Sequence, residues 1–243
     1  MKKFLLFITA IFLSVPLYAI NLYYMNEDDT VYESATCTVG DDLILPTPPT
    51  KRGYTFAGWR AANIQRIEYL ESTGTQYIDT GYTFDGTVKL IFKINWNNVD
   101  GVIFGANSSG GENFLWASSG YLMGSRFDIS PAIQKNIDYI VEMQMYKNNS
   151  YIKINNVIMG LNKSSSTNNL PIFLFAESSF GGISKKVLKL YYFQIYVNDI
   201  LVRDFIPVIK DGTPCLYDLV EHKFYYNAGT GQFIAGPIIG SGE

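Results

Sequence analysis

The 243-residue sequence predicts an all-β protein. Three observations lead there. From Leu190 to Pro237 apolar residues alternate with polar ones between closely spaced turn residues. Thr87–Trp96 repeats with a period of two along its whole length, and no stretch carries the roughly 3.6-residue period of an amphipathic helix. Short strands separated by turns every 8 to 12 residues or so are the pattern of a two-sheet sandwich.

In chain order, MKKFLLFITAIFLSVPLYA comes first. Lys2 and Lys3, the apolar run Phe4 to Leu13, then Pro16 and small Ala19 are the parts of a secretory signal, so residues 1–19 are predicted to be removed on export. The apolar run is shorter than the about 18 residues that span a bilayer, and no later run reaches that length, so no membrane span is expected after signal removal. Ile20, not Cys, follows Ala19, and the closing GPIIGSGE carries no hydrophobic sorting segment; release, or non-covalent retention at the envelope, follows.

The formal net charge is −3 with no basic cluster, which argues against nucleic acid as a partner. Aromatic residues make up 15% of the chain and 18 of them are Tyr, a ring that can pack its body and wet its hydroxyl, as suits a β-rich extracellular protein. Cys37 and Cys215 are far apart; an exported chain permits either a bridge or two separate buried thiols. With the single His222 they cannot supply the ligands of a structural zinc.

Residues 20–60 read as a unit. Ile20, Leu22 and Tyr24 alternate with Asn21 and Tyr23, the acidic run Glu27-Asp28-Asp29 turns the chain, and Thr36 to Val39 and Leu43 to Leu45 are further strand-like pieces. Gly40, Leu45-Pro46, Pro48, Pro49 and Gly53-Tyr54-Thr55-Phe56-Ala57-Gly58-Trp59 resemble the internalin-type Listeria/Bacteroides repeat, a small β-grasp-like module of bacterial surface proteins. The family's Gly-rich first turn is acidic here, and this copy stops just after Trp59. Roughly 40 residues bury too little surface to fold comfortably alone, so Phe56 and Trp59 are expected to pack on each other or on the next domain. For Trp59 a core anchor and an exposed binding ring both stay open.

Residues 61–64 join this unit to residues 65–237, with 238–243 as a tail. Thr87 to Trp96 sets Val88, Leu90, Phe92, Ile94 and Trp96 on one face and Lys89, Lys93 and Asn95 on the other. Tyr139, Val141, Met143 and Met145 alternate with Glu142 and Gln144, and Asn148-Asn149 and Asn155-Asn156 turn two successive hairpins. Ile172 to Phe175 is apolar on both faces, as in a strand covered on both sides. Tyr191, Phe193 and Ile195 are assigned one face of a strand, Asn198-Asp199 a tight turn, Leu201, Arg203 and Phe205 the return; Lys210-Asp211-Gly212, Glu221-His222-Lys223 and Asn227-Ala228-Gly229 are further turns. The opener IQRIEYLESTGTQYIDTGY and the closer from Leu190 to Pro237 look like a laminin-G-like or concanavalin-A-like jelly-roll domain of secreted gut-bacterial and phage-tail proteins. An immunoglobulin sandwich fits less well, because it needs only about 100 residues and a Cys pair around a Trp.

Some jelly rolls of that superfamily hydrolyse glycosides with carboxylates alternating along one strand. Glu68 and Glu71, Asp199 and Asp204, and Asp218 and Glu221 all flank turns, so no pair shares a strand face and no enzyme is expected. His222, in a turn, is expected to face solvent and lacks a nucleophile elbow. The resemblance implies calcium at the loop rim, for which Asp79, Asp85 and Asp100 are candidates; solvated turn carboxylates are the other reading. For ligand binding the candidates are Trp116, Tyr121 and Arg126 with Asn107 and Asn113 of a Gly/Ser/Asn-rich loop, a mixture of flat ring, amide and guanidinium that suits a pyranose; a plain hairpin fits the same residues. The chain thus reads as a secreted or cell-surface bacterial binding protein for an extracellular glycan or glycosylated partner, with a protein-binding structural or adhesion component as the alternative.

Overall fold

In a computed structural model, residues 2–10, 20–26, 31–37, 45–61, 63–83, 87–97, 100–108, 111–124, 132–146, 149–161, 170–179, 184–185 and 187–239 are described, and every regular element among them is a strand. β1 (Lys2–Ala10), β2 (Ile20–Met25), β3 (Val31–Cys37) and β4 (Tyr54–Ala61) form a small sheet in the order β3-β2-β1-β4. The segment read as an export leader is therefore a paired strand here, antiparallel to β2 and parallel to β4. Its apolar composition, which led to the leader reading, equally suits a strand in the middle of a sheet.

The rest is a two-sheet sandwich. β5 (Ile64–Arg66) and β6 (Leu70–Glu71) start it, β7 (Ile78–Thr83) crosses to the second sheet, and β8 (Thr87–Trp96) returns. β9 (Gly101–Ser108), β10 (Gly111–Ser118) and β11 (Tyr121–Gly124) follow as a meander, then β12 (Asp138–Tyr146), β13 (Asn149–Ile154) and β14 (Val157–Leu161) as another. β15 (Pro171–Leu174), β16 (Ala176–Ser179) and β17 (Ser184–Lys185) join the β9 sheet; β18 (Leu188–Val197), β19 (Ile200–Lys210), β20 (Thr213–Asp218), β21 (Lys223–Tyr225) and β22 (Ile234–Ala235) join the β8 sheet. Among the described residues the sheets hold 7 and 11 strands.

The β8 alternation is realised as expected: Val88, Leu90, Phe92, Ile94 and Trp96 are all buried. Phe92 stacks on Phe193 of the neighbouring strand at 5.2 Å, and both meet Phe104 of the opposite sheet edge-on at 5.4 Å. Burying a ring of this size contributes about 1.5–3 kcal/mol relative to leaving it exposed, and edge-on pairs add to that. The turns are also as read: Asn155-Asn156, Asn198-Asp199 and Asp211-Gly212 each have positive φ at both residues, the geometry of two-residue hairpins that twist with their strands. The turn before β13 lies outside the described residues.

Tyr191 departs from expectation. A register shift between Leu190 and Tyr192 inserts one residue into β18, so Leu190 and Phe193 point to the core and Tyr191 does not. Phe173 is only half-buried, its ring stacked on Tyr77 at 4.8 Å, so β15 is not covered equally on both faces. Pairing continues at both ends of the sandwich: Ile64 sits opposite Lys210, Ile238 bridges Ile67, and the Ile239 N–H donates to the Arg66 carbonyl.

Opener and closer are sewn together. The Thr230 and Ala228 N–H groups donate to the Thr75 and Tyr77 carbonyls, Gln76 Nε2 donates to the Gln232 carbonyl, and the buried Ser72 hydroxyl donates to Gln76 Oε1. Gly229 permits this approach, since a Cβ there would lie 2.2 Å from the Thr75 carbonyl oxygen.

The small sheet lies on the sandwich. Met25, fully buried, packs into one apolar cluster with Ile206, Val208, Cys215, Tyr217 and Phe224, while Tyr23 and Val31 flank it. On the opposite face of β2, Tyr24 meets Trp59 edge-on at 5.1 Å, and Phe56 and Tyr32 close the same aromatic group. Trp59 is thus the anchor of the small sheet's own core. Cys215 is buried at the junction, Cys37 is half-buried at the end of β3, and no disulfide joins the two.

Candidate functional site

On the 11-stranded sheet, the junction with the small sheet covers the outer face of β19, β20 and β21, and the outer face of β13, β12, β8 and β18 lies outside that cluster. The residues between the core positions of these strands line that outer face; most are half-buried and Gln144 is buried. Register sets them in rows: Tyr151, Gln144, Lys89 and Tyr196; then Lys153, Glu142, Ile91, Gln194 and Asp204; then Ile140, Lys93 and Tyr192; then Asp138, Asn95 and Lys189.

One end is organised by Asp138. Its carboxylate accepts from Asn95 Nδ2 at 2.7 Å and from the Tyr191 hydroxyl at 2.9 Å, and Lys93 Nζ lies 2.8 Å away. The Lys93 ammonium also sits 4.1 Å above the Tyr191 ring, which meets Tyr69 edge-on at 5.6 Å, and the Lys189 ammonium is 4.3 Å over Tyr69. The bulge that removes Tyr191 from the core is what supplies this ring. At the other end Glu142 accepts from the Tyr151 hydroxyl and from Lys153 Nζ, whose ammonium lies 4.7 Å over the Tyr151 ring. In the Tyr151 row Lys89 bridges the Tyr196 ring and Asp199, and in the Glu142 row Gln194 donates to Asp204.

Partial burial pushes the Asp138 carboxyl up, but the hydrogen bonds from Asn95, Lys93 and Tyr191 outweigh it and hold it below its ordinary value; Glu142 is held low in the same way by Tyr151 and Lys153. Burial, then the bonds to these carboxylates, raise the Tyr191 and Tyr151 phenols. At neutral pH the face therefore presents protonated tyrosine rings among fixed carboxylates, amides and ammonium groups. Such a surface offers ring faces to the C–H side of a sugar and donors and acceptors to its hydroxyls. A lysine over an exposed ring contributes only about 0.5–1 kcal/mol, so a stacking ligand can displace it.

The rim candidates are more scattered. Asn107 and Asn113 are not in a loop: both are paired, opposite Glu112 and Ala106, because β9 and β10 run on until only residues 109–110 separate them. Trp116 lies in the middle strand of that meander, opposite Val102 and Met123. Tyr121 opens β11 and is exposed; Arg126 lies outside the described residues. Asp79, exposed within β7 and opposite Phe173, accepts from the Gly81 N–H, exposed Asp100 accepts from the Ser119 N–H, and Asp85 lies outside the described residues. Among the described residues no group of three or more His, Cys, Asp or Glu could hold a metal ion.

His222 is not solvent-facing. The turn is as read, with φ of 57°, but its ring stacks on Tyr23 of the small sheet at 4.0 Å, and burial holds the imidazole below its ordinary value. The neighbouring carboxylates are engaged structurally: buried Asp218 accepts from the Asp204 and Val220 N–H groups and lies 3.4 Å from Arg203 Nε, while Glu221 pairs with Arg203 and accepts from the Tyr225 hydroxyl. The face residues Tyr69, Asp138, Tyr151 and Tyr191 had escaped the sequence reading. The signal was there in the recurring Lys and Tyr between the core positions of β8 and β18.

Residues 21–79 match the Listeria-Bacteroides repeat domain family model, a span that runs through β5 and β6 into β7. No curated protein matches the chain. Among solved structures, one from Bacteroides ovatus ATCC 8483, described as a "putative carbohydrate binding protein", is similar with a TM-score of 0.52 and 10% identity, over 92% of this chain and 69% of that one. The chain is thus an all-β sandwich protein carrying, at its N-terminal side, a repeat match of the Bacteroides surface-protein type.

Proposed function

We propose that the protein is an exported, non-catalytic glycan-binding protein of the bacterial envelope, built on a laminin-G-like jelly roll, and that the outer face of β13, β12, β8 and β18 is its binding surface. The observation that carries this is the tyrosine platform Tyr69, Tyr191, Tyr196 and Tyr151, set among Lys93, Asp138, Glu142 and Lys153 beside the docked small sheet. The likeness to a solved protein described as carbohydrate binding supports the ligand class, and the repeat match supports a surface address. The engagement of Asp218 and Glu221 by Arg203, and of Asp199 by Lys89, supports a non-catalytic reading. Probing a glycan array with the purified protein tests it: a saccharide that binds and elutes the protein supports the reading, and release of reducing sugar from a β-glucan contradicts it.

A protein-binding adhesion role is the second reading. It is favoured by β14, which ends the 11-stranded order and exposes Val157 and Ile158, each at 59%. Capture from envelope extracts that free saccharide does not reverse would favour it.

A further inference from the structure

We infer that the sheet face takes an internal stretch of a linear glycan, several sugar units laid along β18 from Tyr191 to Tyr196, and not a single terminal sugar. This rests on the glycan-binding reading and adds to it the form of the ligand.

The outer side of β18 carries the inference. Leu188, Leu190, Phe193 and Ile195 are the core residues of the strand. The register shift between Leu190 and Tyr192 therefore leaves two consecutive rings, Tyr191 and Tyr192, off the core side, and Gln194 and Tyr196 follow at every second residue. All four are half-buried. From Tyr192 to Tyr196 the strand runs about 13 Å, at about 3.3 Å per residue, or roughly three pyranose lengths. Tyr69, edge-on to Tyr191 at 5.6 Å, continues the line beyond its far end. A single pyranose covers one such ring and cannot reach the ring at the other end.

Polar groups are spaced along the same line. At the Tyr191 end Asp138 holds Asn95, Lys93 and the Tyr191 hydroxyl. Midway, Gln194 Nε2 donates to Asp204 at 3.1 Å while Gln194 Oε1 accepts from the Tyr196 hydroxyl at 3.3 Å. At the Tyr196 end the Lys89 ammonium reaches Asp199. A chain lying here meets a ring, or an amide beside a carboxylate, at each successive unit, so affinity accumulates with length. Across the strands there is no such track: in the Tyr151 row the two tyrosines are separated by Gln144, which is buried, and by Lys89.

To test this, the full chain is titrated in a calorimeter with linear β-1,4-linked gluco-, manno- and xylo-oligosaccharides of one to six units. In at least one series affinity is expected to rise at least about tenfold from the single sugar to the tetramer. Tyr196→Ala is expected to remove most of that gain, and Tyr196→Phe, which keeps the ring, to restore it. A single sugar that binds as tightly as its tetramer overturns the inference and leaves the glycan reading standing. So does a full length gain in Tyr196→Ala. Failure of every series to bind also overturns it, and the glycan array then decides whether the glycan reading falls with it.

Discussion

The ring of Tyr23 lies on the imidazole of His222 with centroids 4.0 Å apart and planes inclined by 27°. This contact joins a strand of the small sheet to a turn of the sandwich, and burial keeps the imidazole neutral more readily than in water. The folded state therefore binds fewer protons than the unfolded chain as pH falls below the ordinary His value of about 6.5, and stability present above that value is lost on acidification. His222→Gln is expected to flatten the fall in melting temperature between about pH 7.5 and 5.5. An unchanged slope would place the pH dependence elsewhere.

Met25 is fully buried where the small sheet meets Ile206, Val208 and Tyr217. Met25→Ala is expected to cost about 2–5 kcal/mol in chemical denaturation, the range for truncating a packed core side chain. A loss below about 0.5 kcal/mol, ordinary for a surface change, would mean that the sheet is tethered and not docked.

Asp218 holds two backbone N–H groups on one oxygen, those of Asp204 and Val220. Asp218→Ala leaves both half-buried donors without that acceptor and is expected to cost about 1–3 kcal/mol in all. Asp218→Asn keeps that oxygen and is expected to cost less. Burial raises the Asp218 carboxyl above its ordinary value, so its contribution runs opposite to that of His222: it is fully present below the unfolded carboxyl value of about 3.9 and is lost as pH rises through the folded value. Equal losses in the two variants by denaturant titration would contradict the assignment.

At Gly229 a Cβ would meet the Thr75 carbonyl oxygen at 2.2 Å, a backbone atom that cannot swing aside. Gly229→Ala is expected to destabilise by about 1–3 kcal/mol through displacement of the closing segment from the opener. Hydrogen exchange at Ala228 and Thr230, whose N–H groups bond to Tyr77 and Thr75, should rise with it.

How far these features were legible follows from how local their causes are. The core face of β8 and the Asn155-Asn156 and Asn198-Asp199 turns depend on neighbours in sequence, and period two and turn chemistry reveal them. Tyr191 was misassigned because one bulged residue shifts every later side chain to the other face. Asn107 and Asn113 look like loop residues by composition, yet strand pairing overrides composition. The environment of His222 comes from a strand almost two hundred residues earlier, a contact no local pattern contains. Lys89, Lys93 and Asn95 were read correctly as the outward face, but the tyrosines that join them come from other strands.

The most direct test of the account is the affinity of an array-identified saccharide for the native protein, Tyr191→Ala and Tyr121→Ala, with melting temperatures measured alongside. Loss of the aromatic anchor at the Asp138 end of the sheet face predicts at least about tenfold weaker binding for Tyr191→Ala, and native affinity for Tyr121→Ala at the rim. Native affinity in Tyr191→Ala together with lost binding in Tyr121→Ala would contradict it.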